Sequence, residues 1–196
     1  MRLKKNPLIF IFAALTVLLL DGCASLGHRE PVSRRLTDPA IKNQRQLVKF
    51  FMRQNPDADK KEVKRLAEYY IEESLAEGIN SDCAFVQMCL ETGFLRFGNL
   101  VTAEMHNYCG LGSIDENNRG ESFESERLGV RAHIQHLHAY ATEDGVQLNN
   151  ELIDRRYKWV SPRGKAPTVF ELAGTWAADR EYGSKLDALL SRLEGF

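Results

Sequence analysis

At 196 residues the chain is long enough for one domain and short for two. With 43% hydrophobic and 27% charged residues it has the balance of a folded protein, which excludes a disordered tail, a collagen, a coiled coil and a multi-span membrane protein. Its 26 basic and 27 acidic side chains give a formal charge of -1, without the basic excess that nucleic-acid binding needs. No nucleic-acid partner is expected.

The amino terminus reads as an address. Met1 to Asn6 carries three cations, and Leu8 to Leu20 is apolar except for Thr16. That is the layout of a secretory signal, too short to span a bilayer comfortably. Leu20-Asp21-Gly22-Cys23 follows and resembles a bacterial lipobox, in which a Cys after a small residue is acylated and becomes the new amino terminus. Asp21 departs from the pattern, where small or apolar residues are usual. The expectation is a lipoprotein signal peptide over residues 1–22 and lipidation of Cys23. The protein would then be exported and membrane-anchored, periplasmic or on the outer face of the cell envelope. Ordinary secretion with an incidental Cys23 is the alternative. Losing the leader removes Arg2, Lys4, Lys5 and Asp21, which leaves a mildly acidic chain. Residues 23–40, with Gly27, Pro31, Ser33 and Pro39 and no periodic apolar stripe, read as a tether. Residues 41–196 are the expected domain.

In chain order, Leu47, Val48 and Phe51 recur at helical spacing between Gln44 and Arg53, and Asn55-Pro56 stops the run. Asp59 with Glu62 opens a second helix, striped by Val63, Leu66, Ala67, Tyr70 and Ile71 and ended by Gly78. Ser81 starts a short helix that is apolar nearly all round, from Ala84, Phe85 and Val86 to Met88, Cys89 and Leu90. Such a helix belongs in a core. Residues 108–125 turn to Gly110, Gly112, Asn117-Asn118 and Gly120, a Gly-rich loop or short β-hairpin. Val130, Ile134, Leu137 and Ala141 stripe a further helix. Thr168 with Glu171, and Ser184 with Asp187, form capping boxes that predict two more helix starts. The fold class is mostly α, in one domain without internal repeats.

Within the apolar helix only Gln87 and Glu91 stand out as polar, four apart on one face. A carboxylate at the end of a buried helix is either ion-paired for structure or kept protonated near neutral pH to act as an acid. General-acid cleavage of a sugar bond uses such a group, its pKa raised by an apolar pocket. The residues alone leave both explanations open.

Ala84-Phe85-Val86-Gln87-Met88-Cys89-Leu90-Glu91-Thr92-Gly93-Phe94-Leu95-Arg96-Phe97-Gly98 resembles the signature helix of the bacterial glucosaminidases, glycoside hydrolase family 73. Asn107-Tyr108-Cys109-Gly110-Leu111-Gly112 is similar to the family's Asn-Asn-Phe-x-Gly-Leu-Gly stretch, with His106 in place of its first Asn. Phe123, Gly129 to Leu137, Tyr140, Arg163-Gly164, Ala166-Pro167 and Trp176 to Lys185 continue the likeness in order. The resemblance implies a lysozyme-like fold and an endo-β-N-acetylglucosaminidase that cleaves the GlcNAc-β-1,4-MurNAc bond of peptidoglycan glycan strands without a cofactor. It puts Glu91 on the catalytic general acid and Tyr182 on a functionally needed cleft tyrosine. Gln87, Asn107 and Tyr108 are expected at the substrate. Asp115, Glu116, Glu121 and Glu124 are the candidates for a second acid, and no spacing rule selects among them. The substrate's own acetamido group is the other route to a nucleophile. A non-catalytic peptidoglycan-binding lipoprotein and a lytic transglycosylase are the competing functions. The chain is expected to act as a monomer.

His133, His136 and His138 are spaced by three and two, unlike the i, i+4 pair of zinc helices, so packing and hydrogen bonding are expected and no metal. Among Phe94, Phe97, Tyr108, Trp176 and Tyr182, only Tyr108 and Tyr182 are expected near ligand. Cys89 precedes Glu91 by two and Cys109 lies in the loop that must approach it, so a Cys89–Cys109 bridge or contact is expected, with Cys83 free. Three buried small hydrophobes are the alternative.

Overall fold

The computed structural model describes residues 31–196; the leader and Cys23 lie outside the described residues. The described helices are α1 (Gln44–Gln54), α2 (Lys60–Glu77), α3 (Ser81–Glu91), α4 (Glu126–Ala141) and α5 (Tyr182–Leu193), with single 3-10 turns at Ala103–Met105 and Tyr157–Trp159. Among the described residues there is no strand, and no helix is long and apolar enough to cross a membrane. The domain is mostly α and lysozyme-like.

Each helix start has a local cause. Asn43 accepts from the Gln46 amide at 3.1 Å while the Gln46 side chain accepts from the Asn43 amide at 3.0 Å, a reciprocal cap that opens α1. Asp59 accepts from the Lys61 amide at 2.9 Å to open α2, and Gly78 closes it at φ 68°, where a Cβ would be strained. Asn80 and Ser125 cap α3 and α4 in the same way.

α3 is the central element. It packs against α1, α2, α4 and α5, and Cys83, Ala84, Phe85, Val86, Met88 and Cys89 are all buried in the main core. Phe85 meets Tyr70 of α2 edge-on at 5.8 Å and Phe51 of α1 at 6.3 Å. The periodicity of α3 is weak because every face has a partner.

Three stretches depart from expectation. Residues 31–40 do not hang free as a tether. Val32 and Leu36 are buried, Leu36 pairs with Pro167 through a 3.0 Å backbone bond, and Arg34 binds Asp187 of α5 at 2.7 Å. Two large aliphatic side chains with apolar surface to cover outweigh the local Pro and Ser content. The Gly-rich stretch, by contrast, takes the loop form of the expectation, as turns with one isolated bridge, Asp115–Asn118. Thr168 and Glu171 do bond each other, but no helix follows. The Val169 amide is drawn to Arg34 O at 2.9 Å and the Leu172 carbonyl takes the amide of Trp176 at 2.9 Å, so the segment folds into successive turns. Ser184 lies inside α5 rather than at its start, since the Lys185 amide already bonds Glu181 O at 2.9 Å.

Two glycines permit the approaches that bring loops to the site. A Cβ on Gly129 would sit 1.8 Å from His106 O, so only glycine lets the 102–110 loop cross α4. A Cβ on Gly183 would sit 2.7 Å from Phe170 Cα, where the turns carrying Trp176 pass the start of α5.

Candidate active site

α3 ends at Glu91, and the chain then takes an unusual path. Gly93, Phe94 and Leu95 have φ of 57°, 58° and 59°, a left-handed turn in which two residues carry side chains. Such a conformation costs about 1–2 kcal/mol per non-glycine residue. It is held by Asn55 Nδ2 donating to Phe94 O at 2.8 Å, by Leu95 N donating to Thr92 Oγ1 at 2.9 Å, and by Phe94 packing on Phe51 at 5.4 Å. Beyond the turn, Phe97, Asn99, Leu100 and Val101 line a space together with Glu91.

That space is a cavity of about 290 Å³, walled by Glu91, Phe97, Asn99, Val101, Asn107 and Trp176 among others. Among the described residues Glu91 is the one carboxylic acid in its wall. Glu91 Oε1 accepts from Trp176 Nε1 at 3.1 Å and from the Tyr182 hydroxyl. Burial pushes the Glu91 pKa above the ordinary carboxylate value, and the bonds from Tyr182 and Trp176 oppose that rise without cancelling it. Both donors meet Oε1, and Oε2 has no hydrogen-bond partner among the described residues.

Behind this acid runs a chain of buried hydrogen bonds. Gln87 Nε2 donates to the Tyr182 oxygen at 2.9 Å, so the Tyr182 proton turns to Glu91. Gln87 Oε1 can only accept, so His133 Nε2 at 3.2 Å carries a hydrogen, and His133 Nδ1 accepts from the Tyr70 hydroxyl at 2.8 Å. Burial, followed by the nearby His136, lowers the His133 pKa to about 3, so the ring stays neutral and the polarity of the chain is fixed. Tyr182 itself is pushed well above the ordinary phenol value, chiefly by burial and then by the Glu91 charge. It remains a donor at any working pH.

The structure redistributes several expected roles. Glu91 and Tyr182 are brought together. Gln87 is 1% exposed and both ends of its amide are engaged, so it acts through Tyr182 and does not reach a substrate. Tyr108 is likewise buried, in the main core, and does not line the cavity. Asn107 does border the cavity, but its side chain holds the loop: Nδ2 donates to Leu111 O at 2.9 Å and Glu121 O at 3.0 Å, and Oδ1 accepts from Leu111 N at 2.9 Å. None of Asp115, Glu116, Glu121 or Glu124 borders the cavity. Asp115 spends its carboxylate on the turn, accepting from the amides of Asn117 and Asn118 at 2.9 Å each.

No bridge joins Cys89 to Cys109. Cys83, Cys89 and Cys109 are free buried thiols, with Cys89 in the main core and Cys109 in a separate small cluster with Leu111 and Ala132. The histidines bond elsewhere: His136 to Asp154 at 2.7 Å and His138 to Tyr157 at 2.9 Å. Among the described residues no three His, Cys, Asp or Glu side chains are grouped to hold a metal.

Trp176, and not Tyr108, borders the cavity and donates to Glu91. Its indole stands 85 residues from Glu91 in sequence, and no local spacing marks it as a donor to that acid. The likeness that runs over Trp176 to Lys185 is the signal that marks it.

A carboxyl with a raised pKa, at the tip of a core helix and facing an open groove, is the arrangement of an acid-dependent glycoside hydrolase. The Glucosaminidase family model, described as mannosyl-glycoprotein endo-beta-N-acetylglucosaminidase, matches residues 67–195, and the chain belongs to that family of peptidoglycan hydrolases. A protein of Borreliella burgdorferi described as uncharacterized is 44% identical over 147 residues, covering 75% of this chain and 71% of the relative. No solved structure matches the chain.

Proposed function

We propose that the protein is an endo-β-N-acetylglucosaminidase that cuts the GlcNAc-β-1,4-MurNAc bond of peptidoglycan, with Glu91 as general acid. The observation that carries this is the Glu91 carboxyl itself, raised in pKa, alone among acids in the cavity wall, and clamped by Trp176 and Tyr182 on one oxygen only. Oε2 gives its proton to the glycosidic oxygen as the C1–O bond breaks. With no second acid in the described cavity wall, the acetamido oxygen of the sugar supplies the nucleophile, attacking C1 to form an oxazolinium ion. The Glu91 carboxylate then accepts a proton from the water that opens this ion, which restores the acid.

A lytic transglycosylase would also need one acid, with an intramolecular hydroxyl replacing water and cleavage at the muramic side. Mass analysis of the products separates these outcomes. Reducing N-acetylglucosamine ends support the proposal, anhydro-muramic ends replace it by the transglycosylase, and intact strands leave only binding. We further propose export and acylation at Cys23, for which the support is the sequence of residues 1–25.

A further inference from the structure

The groove does not stop at the acid. Beyond Trp176 a second cavity of about 210 Å³ shares Cys109, Gly110, Ser113 and Trp176 with the first, so the two adjoin at the indole. Its wall adds His136, Tyr140 and Arg156. The character changes from a lone acid to a cation and an imidazole.

Arg156 is held without being neutralised. Its guanidinium lies 4.8 Å over the Trp159 ring, and its Nη1 is 3.4 Å from where a Cβ on Gly112 would stand. Among the described residues no carboxylate lies within 4.0 Å of it. Glu121, whose Cγ also lies against Gly112, turns its carboxylate to Arg155 at 4.0 Å. The buried Asp154 organises the wall from behind: Oδ1 accepts from the Arg156 amide at 2.8 Å and Oδ2 from His136 Nδ1 at 2.7 Å. Asp154 is 0% exposed and its two oxygens are thereby engaged. The five guanidinium donors of Arg156 are left without a protein acceptor among the described residues. An unpaired guanidinium at the wall of an open pocket recognises an anion, and its planar fork suits a carboxylate.

We propose that Arg156 forms a carboxylate-binding subsite of the glycan groove, one that takes the acidic substituent of a muramic residue. The inference rests on the glycosidase reading above, because it takes the substrate to be peptidoglycan glycan. That substrate carries carboxylates on the lactyl ether of the sugar and on the attached peptide, and either satisfies the chemistry. Neutral chitin oligosaccharides carry neither.

The test compares wild-type, Arg156→Gln and Arg156→Lys proteins on three substrates: peptidoglycan strands, the same strands freed of peptide by an amidase, and chitin oligosaccharides. Circular dichroism checks that the variants fold. The quantity read is the ratio of kcat/KM for strands over chitin. Arg156→Gln should lower it about tenfold or more, through KM and more strongly at low salt, while Arg156→Lys retains part of it. A loss that persists on peptide-free strands assigns the lactyl carboxylate, and one confined to peptide-bearing strands assigns the peptide. An unchanged ratio on both kinds of strand overturns the subsite. If the wild-type protein cleaves none of these substrates, the glycosidase reading fails separately. The same ratio, measured as Kd with Glu91→Gln protein, then decides the subsite.

Discussion

Both donors to Glu91 end on the same oxygen, and this sets the pH behaviour of the site. A general acid works in its protonated form, so activity falls as pH rises through the Glu91 pKa. The bonds from Trp176 and Tyr182 favour the carboxylate and hold that pKa down against burial. Removing either donor should therefore raise it. Trp176→Phe and Tyr182→Phe should each move the alkaline limb of the pH–rate profile to higher pH, measured as kcat/KM on soluble glycan strands. Tyr182→Phe should also lose about one to two orders of magnitude in kcat, less than loss of the acid itself. The importance of Glu91 was legible because a carboxylate among Phe85, Val86, Met88 and Leu90 contradicts its surroundings. Trp176 and His133 were not legible as partners of that site, since their bonds span 85 and 46 residues and depend on how helices meet. Tyr108 misled because an aromatic next to a loop glycine fits a core or a groove equally well.

At the scale of elements, α2, α4 and α5 each contribute one residue, and α3 two, to the chain Tyr70–His133–Gln87–Tyr182–Glu91. The folded protein binds a proton at His133 only near pH 3 and at His138 only near pH 4, whereas the unfolded chain binds both near 6.5. Stability should thus fall as pH drops from about 6.5 towards 3, because the unfolded state takes up protons first. Urea denaturation at several pH values should show a shallower slope for His133→Gln, whose amide can still bridge Tyr70 and Gln87. Gly129→Ala should cost more than about 2 kcal/mol in the same assay, since its methyl group would overlap His106 O. The helix start capped by Asp59 could be read from local sequence. The Thr168–Glu171 pair has the same local chemistry but yields turns, because pairing with Arg34 is a tertiary effect that no local window contains.

For the whole molecule, residues 31–40 belong to the domain, with Leu36 and Val32 buried and Arg34 tied to α5. Leu36→Asp should destabilise the fold by a few kcal/mol, on the order expected for a buried unpaired charge, as read from thermal unfolding. Under the proposed acylation of Cys23, seven residues (24–30) separate the anchor from the first described residue, a reach of at most about 25 Å. The enzyme would then work on glycan close to its membrane. Cys23→Ser protein should leave the membrane fraction and appear soluble, and a wild-type protein that is already soluble and unacylated would remove the anchor from the account. The central claim is that Glu91 delivers the proton that breaks the glycan. Its most direct test is mass analysis of the fragments released from purified peptidoglycan by wild-type and Glu91→Gln proteins, with folding verified by circular dichroism. The expected result is reducing N-acetylglucosamine ends from the wild type and a rate at least about 10²–10⁴-fold lower from Glu91→Gln. Substantial turnover by folded Glu91→Gln protein would contradict the mechanism.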